Sequence, residues 1–283
     1  MSQDNAKLYR QFVEAANRAE FDRFDEFIAP DAVDHNPLPG QVPGLDGVKQ
    51  SREMVKQAFP DSTSEIVALV SEGDTVAGTQ VLRGTNQGSF MGAPPTGRSI
   101  EIVSNNWVRY ADGMAVERRG LADRMGLMLQ LGMMPMPPGT EGWKPDLASP
   151  PAEGDVLSPE ENKTFVQRGV ALLNEGRLEE FLSIVHPNAV DHTAIPGQSP
   201  GPIGWQQRFA MFGSAFSDAG FDILAQLSEG DLVSGHYTFR GRHTGDLMGM
   251  PATGNAFEVE AMDMIRVRTA RSSSTGDSST CRR

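Results

Sequence analysis

The chain is written twice. FIAPDAVDHNPLPGQVPG at 27–44 returns as IVHPNAVDHTAIPGQSPG at 184–201, and VSEGDTVAGTQVLRGTNQGSFMGAPPTGRSIEI at 70–102 returns as LSEGDLVSGHYTFRGRHTGDLMGMPATGNAFEV at 227–259. Residue i matches residue i+157 without a gap from Leu8/Phe165 to Arg109/Arg266. So long a period marks a duplicated domain, because solenoid repeats run at roughly 20–50 residues. Whatever fold the first copy takes, the second is expected to share. The stretch MPPGTEGWKPDLASPPAEGDVLSP between them is rich in Pro, Gly and Ser and reads as a linker. The expected organisation is domain 1 over 1–135, a linker over 136–157 and domain 2 over 158–283.

Each copy gives the same order of elements. Leu8, Phe12, Val13 and Ala16 have helical spacing, and the matching helix in copy 2 opens on Ser158, Pro159 and Glu161, a capping-box pattern with proline at the first helical position. FDRFDEFI and LEEFLSIV suggest a short second helix. A Pro/Gly loop follows Val-Asp-His, and a third helix comes after it. Strand-like runs SEIVALVSEG, TVAGTQVLRGT, SIEIVSNNWVRY and MAVERRGLAD close copy 1. Helices followed by strands on short turns predict an α+β domain.

Charge and cysteine content narrow the function classes. The net charge is -12, and outside the C-terminal tail no basic cluster could engage nucleic acid or an anionic membrane surface. The start of the chain has no signal-peptide pattern, and no run of 18 apolar residues occurs, so a cytoplasmic protein is expected. Cys281 stands alone, which excludes an intrachain disulfide framework and a multi-cysteine zinc site. His and carboxylate spacing suggests no metal site, and no cofactor motif is present. MGAPPTGR and MGMPATGN lack the Gly-Lys-Ser/Thr ending of a phosphate loop and read as turns between strands.

The residues with chemical potential are few. Asp34-His35 and Asp191-His192 precede the Pro/Gly loops of the two copies. His35 and His192 are candidate acid/base groups, since imidazole titrates near neutrality; the other reading is a polar turn bonding to backbone. On the third strand Ile100, Ile102, Ser104, Asn106 and Val108 share a face, matched by Phe257, Val259, Ala261, Asp263 and Ile265. A carboxylate in an apolar row would have a raised pKa, so Asp263 is a third acid/base candidate unless the row meets solvent there. Asp34, Asn106, Trp107 and Asp191 complete the set as ligand-contact candidates. Trp107, Trp143 and Trp205 read as packing residues rather than cofactor platforms.

The AVDH…PG segment, the helix ending AFPD, the GSFMGAPPTGRSIEI stretch and the closing DGMAVERRGLAD together resemble the SnoaL-like polyketide cyclases and ester cyclases of the nuclear transport factor 2-like superfamily. The resemblance covers each copy nearly end to end. It implies two cone-shaped domains, each a curved antiparallel sheet wrapped on helices around an apolar cavity, arranged as an intrachain pseudo-dimer open to further self-association. It implies cofactor-free acid/base chemistry on a small hydrophobic carbonyl compound, such as an aldol-type ring closure; the alternative is a binding protein that holds such a molecule without turnover. The family's closing strand reads His-Trp-Asp, with the Asp as acid/base. Here those positions are Arg118, Arg119 and Gly120, with Asp123 nearby at the opposite parity; in copy 2 they are Thr275, Gly276 and Asp277.

Copy 2 stops matching at the tail RTARSSSTGDSSTCRR, 268–283. Suitable synonymous codons for this tail, read one nucleotide out of frame, spell DGKIVEHWGLVDVPP, which realigns with DGMAVERRGLAD of copy 1. The tail is therefore read as frameshifted sequence replacing the last strand of domain 2, with a natural or artificial appendage as the rival reading.

Overall fold

The computed structural model of the chain describes residues 2–136, 140–147 and 154–269. Copy 1 opens with α1 (Ser2–Asn17), a 3-10 turn over Phe21–Glu26, β1 (Ile28–Asp34) and α2 (Gly44–Ala58). The strands β2 (Thr63–Glu72), β3 (Thr75–Thr85), β4 (Ser99–Ala111) and β5 (Met114–Ala122) follow, and α3 (Arg124–Leu131) closes the copy. They form one sheet in the order β1-β5-β4-β3-β2. The pairings from β2 to β5 are antiparallel, as expected, but β1 lies parallel to β5. The expected purely antiparallel sheet is thus corrected to a mixed one. Sequence periodicity did not mark β1, because its ladder partner lies some 85 residues downstream, at Ala115–Arg118.

Local chemistry accounts for the turns. Asp112 and Gly113 both have positive φ, +50° and +79°, as the two-residue hairpin between β4 and β5 requires. Asp123 caps α3, accepting from Gly126 N at 2.8 Å, and Gly132 ends the helix at φ +74°. The inward face of α1 places Tyr9 and Val13 against Val76, Val108 and Tyr110 of the sheet. Phe24, Phe27, Ile28 and Val48 close one side of this core, and Phe59, Phe90, Ile100, Ile102 and Leu131 form its far end.

Copy 2 comprises α4 (Pro159–Asn174), α5 (Leu178–Ile184), α6 (Gly201–Ala215) and the antiparallel sheet β6-β7-β8 (Phe216–Glu229, Leu232–His243, Ala256–Arg266). Ser158 and Glu161 form the capping box that their spacing predicts. Three elements of copy 1, β1, β5 and α3, have no counterpart among the described residues. Nothing matches β5 on the outer edge of β8, and 185–191, equivalent to β1, is not a strand. In copy 1 the ladder partner of β1 is β5. Copy 2 follows copy 1 as far as Val267, whose N donates to Asp231 O as Tyr110 N does to Asp74 O. Thr269 N then bonds Asp155 O. The out-of-frame reading falls mostly on 270–283, which lie outside the described residues.

The two sheets meet through their outer faces. Val70, Ala77 and Trp107 pack with Leu227, Leu232, Met262 and Met264. Among the described residues no helix is long and apolar enough to cross a membrane.

Candidate functional site

In copy 1, α1, α2, β1 and the inner face of the sheet surround a cavity of about 50 Å³. Its walls are apolar: Phe12, Phe27, Ile28, Val48, Val108 and Tyr110. Its polar groups are Tyr9, Asp34, Arg52, Gln80, Asn106, Glu117 and Arg118. At this size it holds only a few waters, so a large ligand needs side chains to move.

Asp34 anchors the polar end. Its carboxylate accepts from Asn36 N at 3.1 Å and Gln41 Nε2 at 3.1 Å, and Arg118 Nη1 lies 3.0 Å from both of its oxygens. Asp191 repeats the loop contacts, accepting from Thr193 N and Gln198 Nε2, each at 3.0 Å. Its arginine comes from elsewhere: Arg208 of α6, at 3.1 Å. Both aspartates therefore hold the Pro/Gly loop closed, and each carries a guanidinium.

The histidines stand apart. His35 is absent from the cavity lining, and its Nε2 lies 2.8 Å from Glu117 Oε1 at the rim. Arg109, followed by His35, holds Glu117 below its ordinary pKa. His192 bonds the linker carbonyl of Asp146 instead. The Asp-His pairs thus share the loop role of the Asp but not the environment of the His.

Arg118 occupies the space that a side chain at position 120 would enter. Its Nη2 donates to Asn106 Oδ1 at 2.7 Å. A Cβ added at Gly120 would lie 2.1 Å from that same Nη2 and 2.6 Å from Asn106 Oδ1. Arg118 and Gly120 are therefore one coupled replacement. Above Asn106, Gln80 Nε2 donates to the Tyr9 hydroxyl at 2.5 Å, and burial pushes Tyr9 up to about 12. Arg52, on α2, stacks 5.7 Å from the Phe12 ring, and its Nε is buried without a hydrogen-bond partner. Burial and then the nearby Arg118 pull Arg52 down to about 10.

Copy 2 places Asp263 at the position of Asn106. Its Oδ1 accepts from Gly235 N and from the Tyr237 hydroxyl, each at 3.1 Å. Loss of water around the carboxylate pushes Asp263 up to about 7. The two copies bring a tyrosine hydroxyl over the same glycine by different routes. A Cβ at Gly78 would meet Tyr9 Oη from α1 at 2.5 Å, and one at Gly235 would meet Tyr237 Oη from β7 at 1.9 Å.

Trp107 is not in the cavity. Its indole Nε1 donates to Ser234 Oγ at 2.9 Å, across the seam between the sheets. Strand alternation alone places it on the face opposite Asn106. Arg52, Arg118, Tyr9 and Tyr237 did not emerge from sequence reasoning as site residues. A signal for Arg52 existed: it follows Val48 and precedes Val55 and Phe59 on the apolar stripe of α2, and its counterpart by the 157 offset is Phe209. Among the described residues no three His, Cys, Asp or Glu side chains gather to hold a metal.

Comparison with known proteins finds one family twice along the chain. The family model for SnoaL-like polyketide cyclases matches residues 6–131 and again 163–272. The aklanonic acid methyl ester cyclase DauD of Streptomyces sp. (strain C5) is 31% identical over 145 residues, covering 49% of this chain and 86% of that protein. The nogalonic acid methyl ester cyclase of Streptomyces nogalater is 32% identical over 135 residues, 47% of this chain and 99% of that one. The solved structure of IdmH from Streptomyces antibioticus is 35% identical over 45% of this chain and 98% of its own, with a TM-score of 0.41.

Proposed function

The chain belongs to the SnoaL-like polyketide cyclase family, and on that premise we propose that it catalyses a cyclase-type reaction on a small, largely apolar carbonyl compound, with copy 2 supplying the proton-transfer group. The observation that carries this reading is the Asp263–Tyr237 pair on the inner face of β7 and β8, a desolvated carboxylate poised near neutrality beside a hydroxyl donor. Ionised Asp263 takes the proton from the carbon next to the substrate carbonyl. The resulting enolate attacks a second carbonyl in the same molecule, and the acid returns the proton to the new alkoxide. No cofactor is needed, because electrons and protons balance within the substrate and the carboxyl group.

Copy 1 favours a second role. Asn106 replaces the carboxylate, Gly120 carries no side chain, and Asp34 is engaged by Arg118. Its cavity suits ligand binding without turnover.

The test uses the substrates named by the relatives, aklanonic acid methyl ester and nogalonic acid methyl ester. Ring closure should be measurable with the full chain, and Asp263→Asn should lower turnover at least about 100-fold, the scale of one general acid/base. The rate should rise as pH passes through about 7, as Asp263 ionises. Unchanged turnover in Asp263→Asn would remove Asp263 from the reaction.

A further inference from the structure

Cavity charge distinguishes copy 1. Two guanidinium groups, Arg52 and Arg118, and the carboxylate of Asp34 line one small space, while the remaining carboxylate, Glu117, is held at the rim by His35 and Arg109. Asp34 is already engaged by Arg118 and two loop donors. Arg52 has no ion pair or hydrogen bond among the described residues, and its Nε is buried and unpartnered. Arg52 is half-buried and feels the Asp34 carboxylate only through space, so its guanidinium keeps unused donors that an anionic ligand can take. At the equivalent place copy 2 has Phe209, whose ring stacks with Trp205 and packs edge-on to Phe181. The fold therefore accepts an apolar residue there, and packing does not require the arginine.

We propose that the copy 1 cavity binds a monocarboxylate with an apolar body, its carboxylate seated against Arg52 within reach of Arg118 and its body directed along Phe27 and Val33 toward the mouth. This rests on reading copy 1 as a ligand-binding cavity and adds the ligand's charge. A planar carboxylate matches a guanidinium fork. One negative charge neutralises the one positive charge in excess. A space of about 50 Å³ has room for a carboxylate head. The exposed Val33 marks the opening, at 52% exposure.

The test titrates the full chain with hexanoate and with hexanamide, which has nearly the same shape and no charge, and repeats both with Arg52→Met. Hexanoate should bind at least about tenfold more tightly than hexanamide, and Arg52→Met should abolish that preference, the loss expected for one charged hydrogen-bonding group. Without ligand Arg52→Met should raise Tm by about 2–4 °C, because it removes a partly desolvated charge that no hydrogen bond or ion pair among the described residues holds; a purely structural arginine would lower it. Equal affinity for acid and amide, or an unchanged preference in Arg52→Met, overturns the carboxylate assignment while leaving the cavity as a ligand site. Failure of both compounds to bind overturns the assignment and the binding role of copy 1 together.

Discussion

Glu72 and Glu229 trade places across the seam. Glu72 Oε2 accepts from Ser228 N at 2.9 Å, and Glu229 Oε2 accepts from Ser71 N at 2.8 Å. The two glutamates are counterparts under the 157 offset, so each copy offers the other the same contact. Asn105 Nδ2 donates to Met262 O at 3.2 Å, joining a residue to its own counterpart, as happens at a local twofold axis. The chain thus contains an isologous contact of the kind that two separate subunits form.

Trp107 is buried in this seam, so its truncation should act on stability. Trp107→Ala is expected to cost about 3–5 kcal/mol, in the range for a buried aromatic. Urea denaturation measures it. Ligand affinity of the copy 1 cavity should be unchanged in the folded variant; a large affinity loss with little destabilisation would return Trp107 to the site.

Asp263 should set a stability cost that depends on pH. Its folded-state pKa, about 7, stands above the ordinary carboxyl value of 3.8. The folded state therefore prefers the protonated acid. The cost is absent below pH 3.8, grows between 3.8 and about 7, and is complete above that. Asp263→Asn should then raise stability at pH 8, by on the order of a few kcal/mol, and leave it nearly unchanged at pH 4, while turnover is lost. A variant destabilised at pH 8 would contradict this.

Arg118 and Gly120 should behave as one unit. Gly120→Asp alone drives a side chain into the Arg118 guanidinium and should cost about 1–3 kcal/mol. Adding Arg118→His frees that space and should recover much of the loss. Additive effects in this double-mutant cycle would show that the two positions are independent.

His35 faces Glu117 rather than the cavity. His35→Ala should change turnover less than about threefold, well below the effect of an acid/base group. A loss of about 100-fold would restore His35 to the chemistry.

By itself the sequence settled the duplication, the α+β class, the capping box that opens α4 and the shared strand face of Asn106 and of Asp263 with their neighbours; whether that face meets solvent it left open. These follow from local rules: a repeat offset, a capping box, and alternation along one strand. Even the face of Trp107 was legible in that alternation. Tertiary structure alone decided what stands opposite each residue. The parallel pairing of β1 with β5, the contact of His35 with Glu117, and the guanidinium over Gly120 depend on ladders and side-chain reach between segments far apart in the chain. Asp34 and Asp191 show the division most clearly. The sequence writes the same loop around both, and the fold gives one its arginine from β5 and the other from α6, because a charge is answered by whichever partner packing brings within a few ångströms.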